Sequence, residues 1–164
     1  MRCPKCFSKK LEWHERFRRD RSAGVAVDSE GNAYLGGSTQ ETLGETSLGW
    51  DDAFLAKFDA SGALLWTRQF GTSEQDFGRG IAVDGAGTSY VCGETSGSLG
   101  GPNAGYRDVF LAKYDTSGAL IWTRQIGTSE SEYGLGVAVD GSGNAFVTGT
   151  TNGTLGGPYA GNGD

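Results

Sequence analysis

The sequence predicts an all-β fold assembled from four-stranded antiparallel units, on three observations: an uninterrupted 56-residue repeat, apolar runs of strand length inside each repeat, and Gly-containing turns between the runs. Gly24-Val25-Ala26-Val27-Asp28 returns as Gly80-Ile81-Ala82-Val83-Asp84 and again as Gly136-Val137-Ala138-Val139-Asp140. Phe54-Leu55-Ala56-Lys57 returns as Phe110-Leu111-Ala112-Lys113, and Leu65-Trp66-Thr67-Arg68-Gln69 as Ile121-Trp122-Thr123-Arg124-Gln125. Repeats of this kind bury their apolar faces mainly against their neighbours, so the 164 residues amount to about two and a half units rather than one ordinary domain. Twenty-nine glycines against three prolines suit many tight turns, because apolar residues remain plentiful and regularly placed.

The second unit shows the elements in order. Ile81-Ala82-Val83 is a small, β-branched first strand, Asp84-Gly85-Ala86-Gly87 a turn, and Ser89-Tyr90-Val91-Cys92 the second strand of a hairpin. A long Gly-rich loop leads to a third strand, Val109 to Tyr114; Asp115-Thr116-Ser117-Gly118 turns the chain into a fourth, Leu120 to Ile126. Large groups on both faces of the last two strands, such as Phe110 and Tyr114 opposite Leu111, or Trp122 and Ile126 opposite Ile121, predict sheets sandwiched between neighbouring sheets. The Gly, Ala and Val of the first strand suit the place where sheets converge on an axis. Four antiparallel strands per repeat make a blade, so the expected architecture is a series of beta-propeller blades forming an incomplete ring.

These residues carry a family resemblance. The order Gly80-Ile81-Ala82-Val83-Asp84, a Gly/Thr-rich loop, Asp108-Val109-Phe110-Leu111-Ala112-Lys113-Tyr114-Asp115 and Ser117-Gly118-Ala119-Leu120-Ile121-Trp122-Thr123-Arg124-Gln125, matched in phase by the preceding copy, resembles the bacterial beta-propeller repeat called the SBBP repeat over residues 24–164. The resemblance implies a propeller scaffold, and a setting in secreted or cell-surface proteins that carry many copies. It implies no activity and no catalytic residue set.

The period divides the chain into a basic segment, 1–23, a first blade, 24–79, a second, 80–135, and the first half of a third, 136–164. Leu11-Glu12-Trp13-His14-Glu15-Arg16-Phe17 keeps the frame of Leu64 to Phe70 and reads as a degenerate outer strand of a preceding blade, while Asp164 takes the position of Asp52 and Asp108. A fragment of a longer propeller is expected, against the rival of a self-assembling unit whose open blade edges associate. Eight basic against three acidic side chains give residues 1–23 a balance of +5 and leave −11 on the rest of a chain whose total is −6. An acidic repeat body argues against nucleic acid as partner, since phosphate neutralisation supplies most of that affinity. No apolar run is long enough for a transmembrane helix, and Arg18-Arg19 is followed by Asp20-Arg21-Ser22 rather than the apolar stretch of a signal peptide.

Recurring polar residues read first as architecture. Asp28, Asp84 and Asp140, and likewise Asp59 and Asp115, are expected to cap turns through their carboxylates. A calcium loop is the alternative, with oxygens alternating over Asp140 to Asn144, yet the twelfth position from Asp28 is Thr39 where Glu is needed. Trp66 and Trp122 read as packing anchors, and Arg68 and Arg124 as stems laid across the neighbour toward a carboxylate such as Glu74 or Glu130. The single histidine, His14, lacks the context of a triad, and Gly97-Ser98-Leu99-Gly100-Gly101 lacks the Lys-Ser/Thr of a phosphate loop. Cys3-Pro4-Lys5-Cys6 has the spacing of half a zinc site, with only His14 and the distant Cys92 to complete it. No cofactor is therefore expected, with zinc at Cys3 and Cys6 or calcium in the turns as minor alternatives.

Variation between copies concentrates in the loop joining the second and third strands, over 39–51, 95–107 and 150–163. Trp50 becomes Tyr106 and then Asn162, Asp51 becomes Arg107 and then Gly163, and Asn103 and Tyr159 appear at unrelated points. These loops leave a blade on one face, so Trp50, Asp51, Asn103, Tyr106, Arg107 and Tyr159 are the candidate ligand-binding residues, suited to a protein or glycan surface. The expected function is a non-enzymatic binding or scaffold module of a secreted or cell-surface protein. The alternative is a propeller enzyme, a hydrolase or lyase, whose active site lies in other blades or another domain.

Overall fold

The computed structural model describes residues 21–43 and 47–156, in which there are strands, turns and loops and no helix. The first sheet holds β1 (Arg21–Val27), β2 (Ala33–Thr39), β3 (Asp52–Phe58) and β4 (Leu64–Phe70). The second repeats it with β5 (Asp76–Val83), β6 (Ser89–Thr95), β7 (Asp108–Tyr114) and β8 (Leu120–Ile126), and β9 (Glu132–Val139) and β10 (Ala145–Thr151) begin a third. Every neighbouring pair is antiparallel and in sequence order, which is a meander and the form of a propeller blade. The innermost strands start earlier than their apolar runs suggest: β5 begins at Asp76, with a bulge between Gly78 and Gly80 that re-aims the chain before Ile81.

One turn design serves all five described hairpins. Asp28 Oδ1 accepts the amides of Glu30 and Asn32, and the Asp28 carbonyl accepts from Gly31, which sits at φ 82° where a side chain would be strained. Asp59 with Gly62, Asp84 with Gly87, Asp115 with Gly118 and Asp140 with Gly143 repeat the backbone bond and the left-handed glycine. The turn carboxylates thus face backbone amides, as the capping reading expects.

Blades meet through close backbone approach at the axis and aromatic packing farther out. A Cβ on Gly80 would lie 2.9 Å from the Cα of Gly136, and one on Gly24 3.0 Å from Ile81 Cγ2, so the inner strands need their small residues. Outside them, Tyr34, Ala53 and Leu55 of the first blade pack with Val91, Phe110, Ala112 and Tyr114 of the second, joined by Trp66 and Phe70. Phe70 meets the Phe110 and Tyr114 rings at 5.9 and 5.4 Å, and Tyr34 donates its hydroxyl to the Gly87 carbonyl of the next blade. Trp66 Nε1 donates to Thr116 O and Arg68 Nε to Gly118 O at 2.7 Å, so the arginine stem crosses to the neighbour as expected and there meets turn carbonyls. Burial pushes the Cys92 thiol in β6 up to about 11.

The outer strands depart from the expected two-sided sandwich. β3 and β6 are buried along their whole length, but Leu65 of β4 and Leu120, Ile121 and Ile126 of β8 are exposed. Leu65 and Ile121, at one position of the two copies, are exposed alike, as sheets that diverge toward the rim require, whereas Leu120 and Ile126 lie on the face toward the third sheet, of which the described residues supply two strands; Phe70, at the position of Ile126, packs on the second blade.

Candidate loop-face binding site

The variable loops hang on a constant polar frame. In the first blade Gln69 at the end of β4 donates Nε2 to Asp52 Oδ2 at 2.7 Å, and its Oε1 accepts the Leu43 amide; Asp52 Oδ2 also accepts the Leu48 amide. In the second, Gln125 donates to Asp108 Oδ2 at 2.8 Å and accepts from Leu99, while Asp108 accepts from Ala104. One Asp–Gln pair therefore ties both arms of the long loop, and the residues between are free to differ. A second tie joins the blades: Asp76, buried at the start of β5, accepts Thr72 N and Thr95 Oγ1, and Glu132 does the same for Thr128 and Thr151. Burial, and behind it the nearby Asp52 carboxylate, raises the pKa of Asp76 against the opposing pull of its threonine bonds.

The second blade adds a charged cluster that the first lacks. Arg79 of β5 donates through Nε and a terminal nitrogen to the fully buried Glu94 of β6. The Arg107 guanidinium lies 3.9 Å from the same carboxylate, donates to Gln75 Oε1 at 3.2 Å, and sits 5.4 Å from the Phe77 ring and 5.8 Å from that of Tyr133. Two cations and two rings around one carboxylate hold Arg107 in a fixed orientation with part of its surface outward. One period earlier the positions of Arg79, Glu94 and Arg107 carry Ala23, Ser38 and Asp51.

The sequence-predicted site residues do not share one setting. Trp50 and Tyr106 are 75% and 74% exposed, and their amides donate to the Glu74 and Glu130 carbonyls, so each ring projects from a tethered backbone. Asp51 is only 5% exposed and accepts from Gln40 Nε2, and Asn103 pins its own loop by donating Nδ2 to Ser96 O at 2.7 Å. Arg107 belongs to the cluster just described. Tyr159, Cys3 and Cys6, with His14 and the Leu11–Phe17 strand reading, lie outside the described residues. Sequence reasoning missed Asp52, Gln69, Asp108 and Gln125 as loop anchors, and Glu94 with Arg79; the first four carried a signal, since an Asp and a Gln 17 residues apart recur in both copies.

Comparison with known proteins agrees with this architecture. The chain matches 28% of positions over 142 aligned residues of "Regulatory protein FlaEY" from Caulobacter vibrioides, an alignment that covers 75% of this chain and 15% of that protein. The chain thus corresponds to a small part of the relative's length. The beta-propeller repeat family SBBP matches at residues 17–45, 65–101 and 121–157, and the second and third matches each run from the outer strand of one blade into the first two strands of the next. With more than half of its residues in three such matches and its strands arranged as blades, the chain belongs to the SBBP beta-propeller repeat family.

Proposed function

We propose that the chain is a non-enzymatic propeller module whose long-loop face binds a protein or carbohydrate surface. The observation that carries this reading is the constant Asp–Gln frame holding loops whose tips differ, with Trp50 and Tyr106 projecting from them and the Arg79–Glu94–Arg107 cluster in one blade alone. Rigid anchoring lowers the ordering cost of binding, and exposed aromatic planes beside oriented Arg donors suit stacking and hydrogen bonding to polar ligands. The buried carboxylates accept hydrogen bonds that hold backbone and threonine hydroxyls, a supporting role rather than acid–base work. A relative whose printed name is a regulatory protein is in keeping with contact rather than turnover. The setting proposed is the cell surface or the exterior, and an intact-cell protease digest that leaves the full-length protein uncut would refute it.

The test is a glycan and protein-binding screen followed by Trp50→Ala and Tyr106→Ala. Both side chains are largely in solvent, so the fold is retained. At least one substitution is expected to weaken binding about tenfold, the scale of an exposed aromatic that becomes buried on binding. Unchanged affinity in both variants overturns the loop-face assignment.

A further inference from the structure

The cluster of Arg79, Glu94 and Arg107 is more than the second blade needs to fold. The first sheet forms in the same register with Ala23, Ser38 and Asp51 at these positions, and the third copy carries Leu135, Thr150 and Gly163. A fully buried carboxylate costs desolvation that its ion pair at best offsets, so Glu94 is poorly explained as a source of stability. What it does is fix two cations. Arg79 donates Nε to it at 3.0 Å, the Arg107 guanidinium lies 3.9 Å away, and both guanidiniums stand over the Phe77 ring, at 5.1 and 5.4 Å from its centroid. One carboxylate between two guanidiniums leaves one positive charge uncompensated. The acids next in sequence to the cluster do not supply the balance: Asp108 is taken up by Gln125 and the Ala104 amide, Asp76 by Thr72 and Thr95, and Glu132 by Thr128 and Thr151. Arg79 Nη1 and Arg107 Nε meet no protein acceptor among the described residues, and the two side chains stay 37% and 29% exposed.

We infer that Arg79 and Arg107 receive the carboxylate of an acidic polysaccharide, a uronate, on the long-loop face. This deepens the loop-face reading and rests on it. Two guanidiniums already oriented by Glu94 and Phe77 offer N–H edges in the planar fork that a carboxylate matches, and their ordering cost is met in folding rather than in binding. A sugar is favoured over an acidic polypeptide because Tyr106, 74% exposed, precedes Arg107 on the same tethered loop and Trp50 stands one period earlier, so two flat rings at one repeat position accompany the charge. The repeat body is otherwise acidic, with −11 beyond residue 23, and repels polyanions at large. Retention of one therefore depends on this cluster.

The experiment uses the full chain with polygalacturonate, with its methyl-esterified form, which keeps the sugar ring and lacks the charge, and with polyglutamate. Saturable binding of polygalacturonate is expected by calorimetry, weakened by added salt and at least about tenfold weaker for the methyl ester. Arg107→Gln is expected to weaken it about tenfold, the scale of one charge-assisted hydrogen bond, with an unchanged melting temperature because Glu94 keeps Arg79. Arg107→Lys, which keeps the charge and loses the fork, is expected to recover only part of the affinity. No saturable binding of polygalacturonate overturns the inference, as does equal binding of the methyl ester or of polyglutamate. Lower stability in Arg107→Gln with unchanged binding overturns it too, since Arg107 then serves only Glu94. Loss of binding in Tyr106→Ala with none in Arg107→Gln would strike this inference and leave the loop-face reading standing, whereas unchanged affinity in both Trp50→Ala and Tyr106→Ala would strike that reading itself.

Discussion

Gly71 and Gly127 are glycine because a carboxylate oxygen stands where their side chain would be. A Cβ on Gly71 would lie 2.7 Å from Asp52 Oδ1 and 2.8 Å from Asp76 Oδ2, and one on Gly127 would collide with Asp108 Oδ1. Asp52 Oδ1 and Asp108 Oδ1 are buried without a conventional hydrogen-bond partner, and a glycine Cα–H facing each offers the weak donor that the site allows. Gly71→Ala is therefore expected to lower stability by about 1–3 kcal/mol in a denaturant melt, the cost of overpacking. Gly85→Ala, with open space around it and no positive φ, is expected to stay within about 0.5 kcal/mol; similar losses in both would show that backbone freedom, not the carboxylates, sets the requirement. The same pair gives a pH signature. Asp76 has a raised folded-state pKa, so the folded chain holds this proton more tightly than the unfolded one. Its contribution to stability is present below the ordinary value of 3.8 and is lost as pH rises through the raised value. Asp76→Asn is expected to remove that falling limb from a pH series of melts, and an unchanged limb would assign it to another group.

At the scale of elements, the turns were legible in the sequence and the loop anchors were not. An Asp followed three residues later by Gly, between short apolar runs, specifies the hairpin through local bonds alone, which is why five turns could be placed from residue order. Gln69 and Asp52 meet only because β3 and β4 pair, and Arg107 meets Glu94 and Tyr133 only because two blades stack, so residue order gave their recurrence but not their contacts. The outer strand shows the same dependence: Trp66 and Phe70 of β4 are packed because a four-stranded blade follows them, while β8, with the same apolar content, faces a sheet of which two strands are described. The local character of the turns is testable. Asp84→Ala strips the acceptor from the Ala86 and Thr88 amides and is expected to cost about 1 kcal/mol, while Asp84→Asn, which keeps one oxygen, recovers a good part of it. Equal losses in the two variants would mean that charge rather than the acceptor holds the turn.

Across the whole molecule, the repeat supplies an internal control that few proteins offer, because Leu55 and Leu111 occupy the same strand position, one with a full blade beyond it and one beside the open groove. Stability in a stacked array is close to a sum of unit and interface contributions, so a residue's worth depends on whether its interface is made. Leu55 is fully buried in the interface with β7, and Leu55→Ala is expected to cost about 2–5 kcal/mol through lost burial and the cavity left behind. Leu111 is only partly covered, and Leu111→Ala is expected to cost less than half as much, since there is little enclosed space to turn into a cavity. The measurement is paired equilibrium unfolding of the two variants, with amide exchange read on β3, β6 and β10. Slow exchange is expected in β3 and β6, which are buried along their length and flanked by strands on both sides, and fast exchange in β10 through local opening. Equal costs would mean that the blades unfold as one unit rather than as separable interfaces.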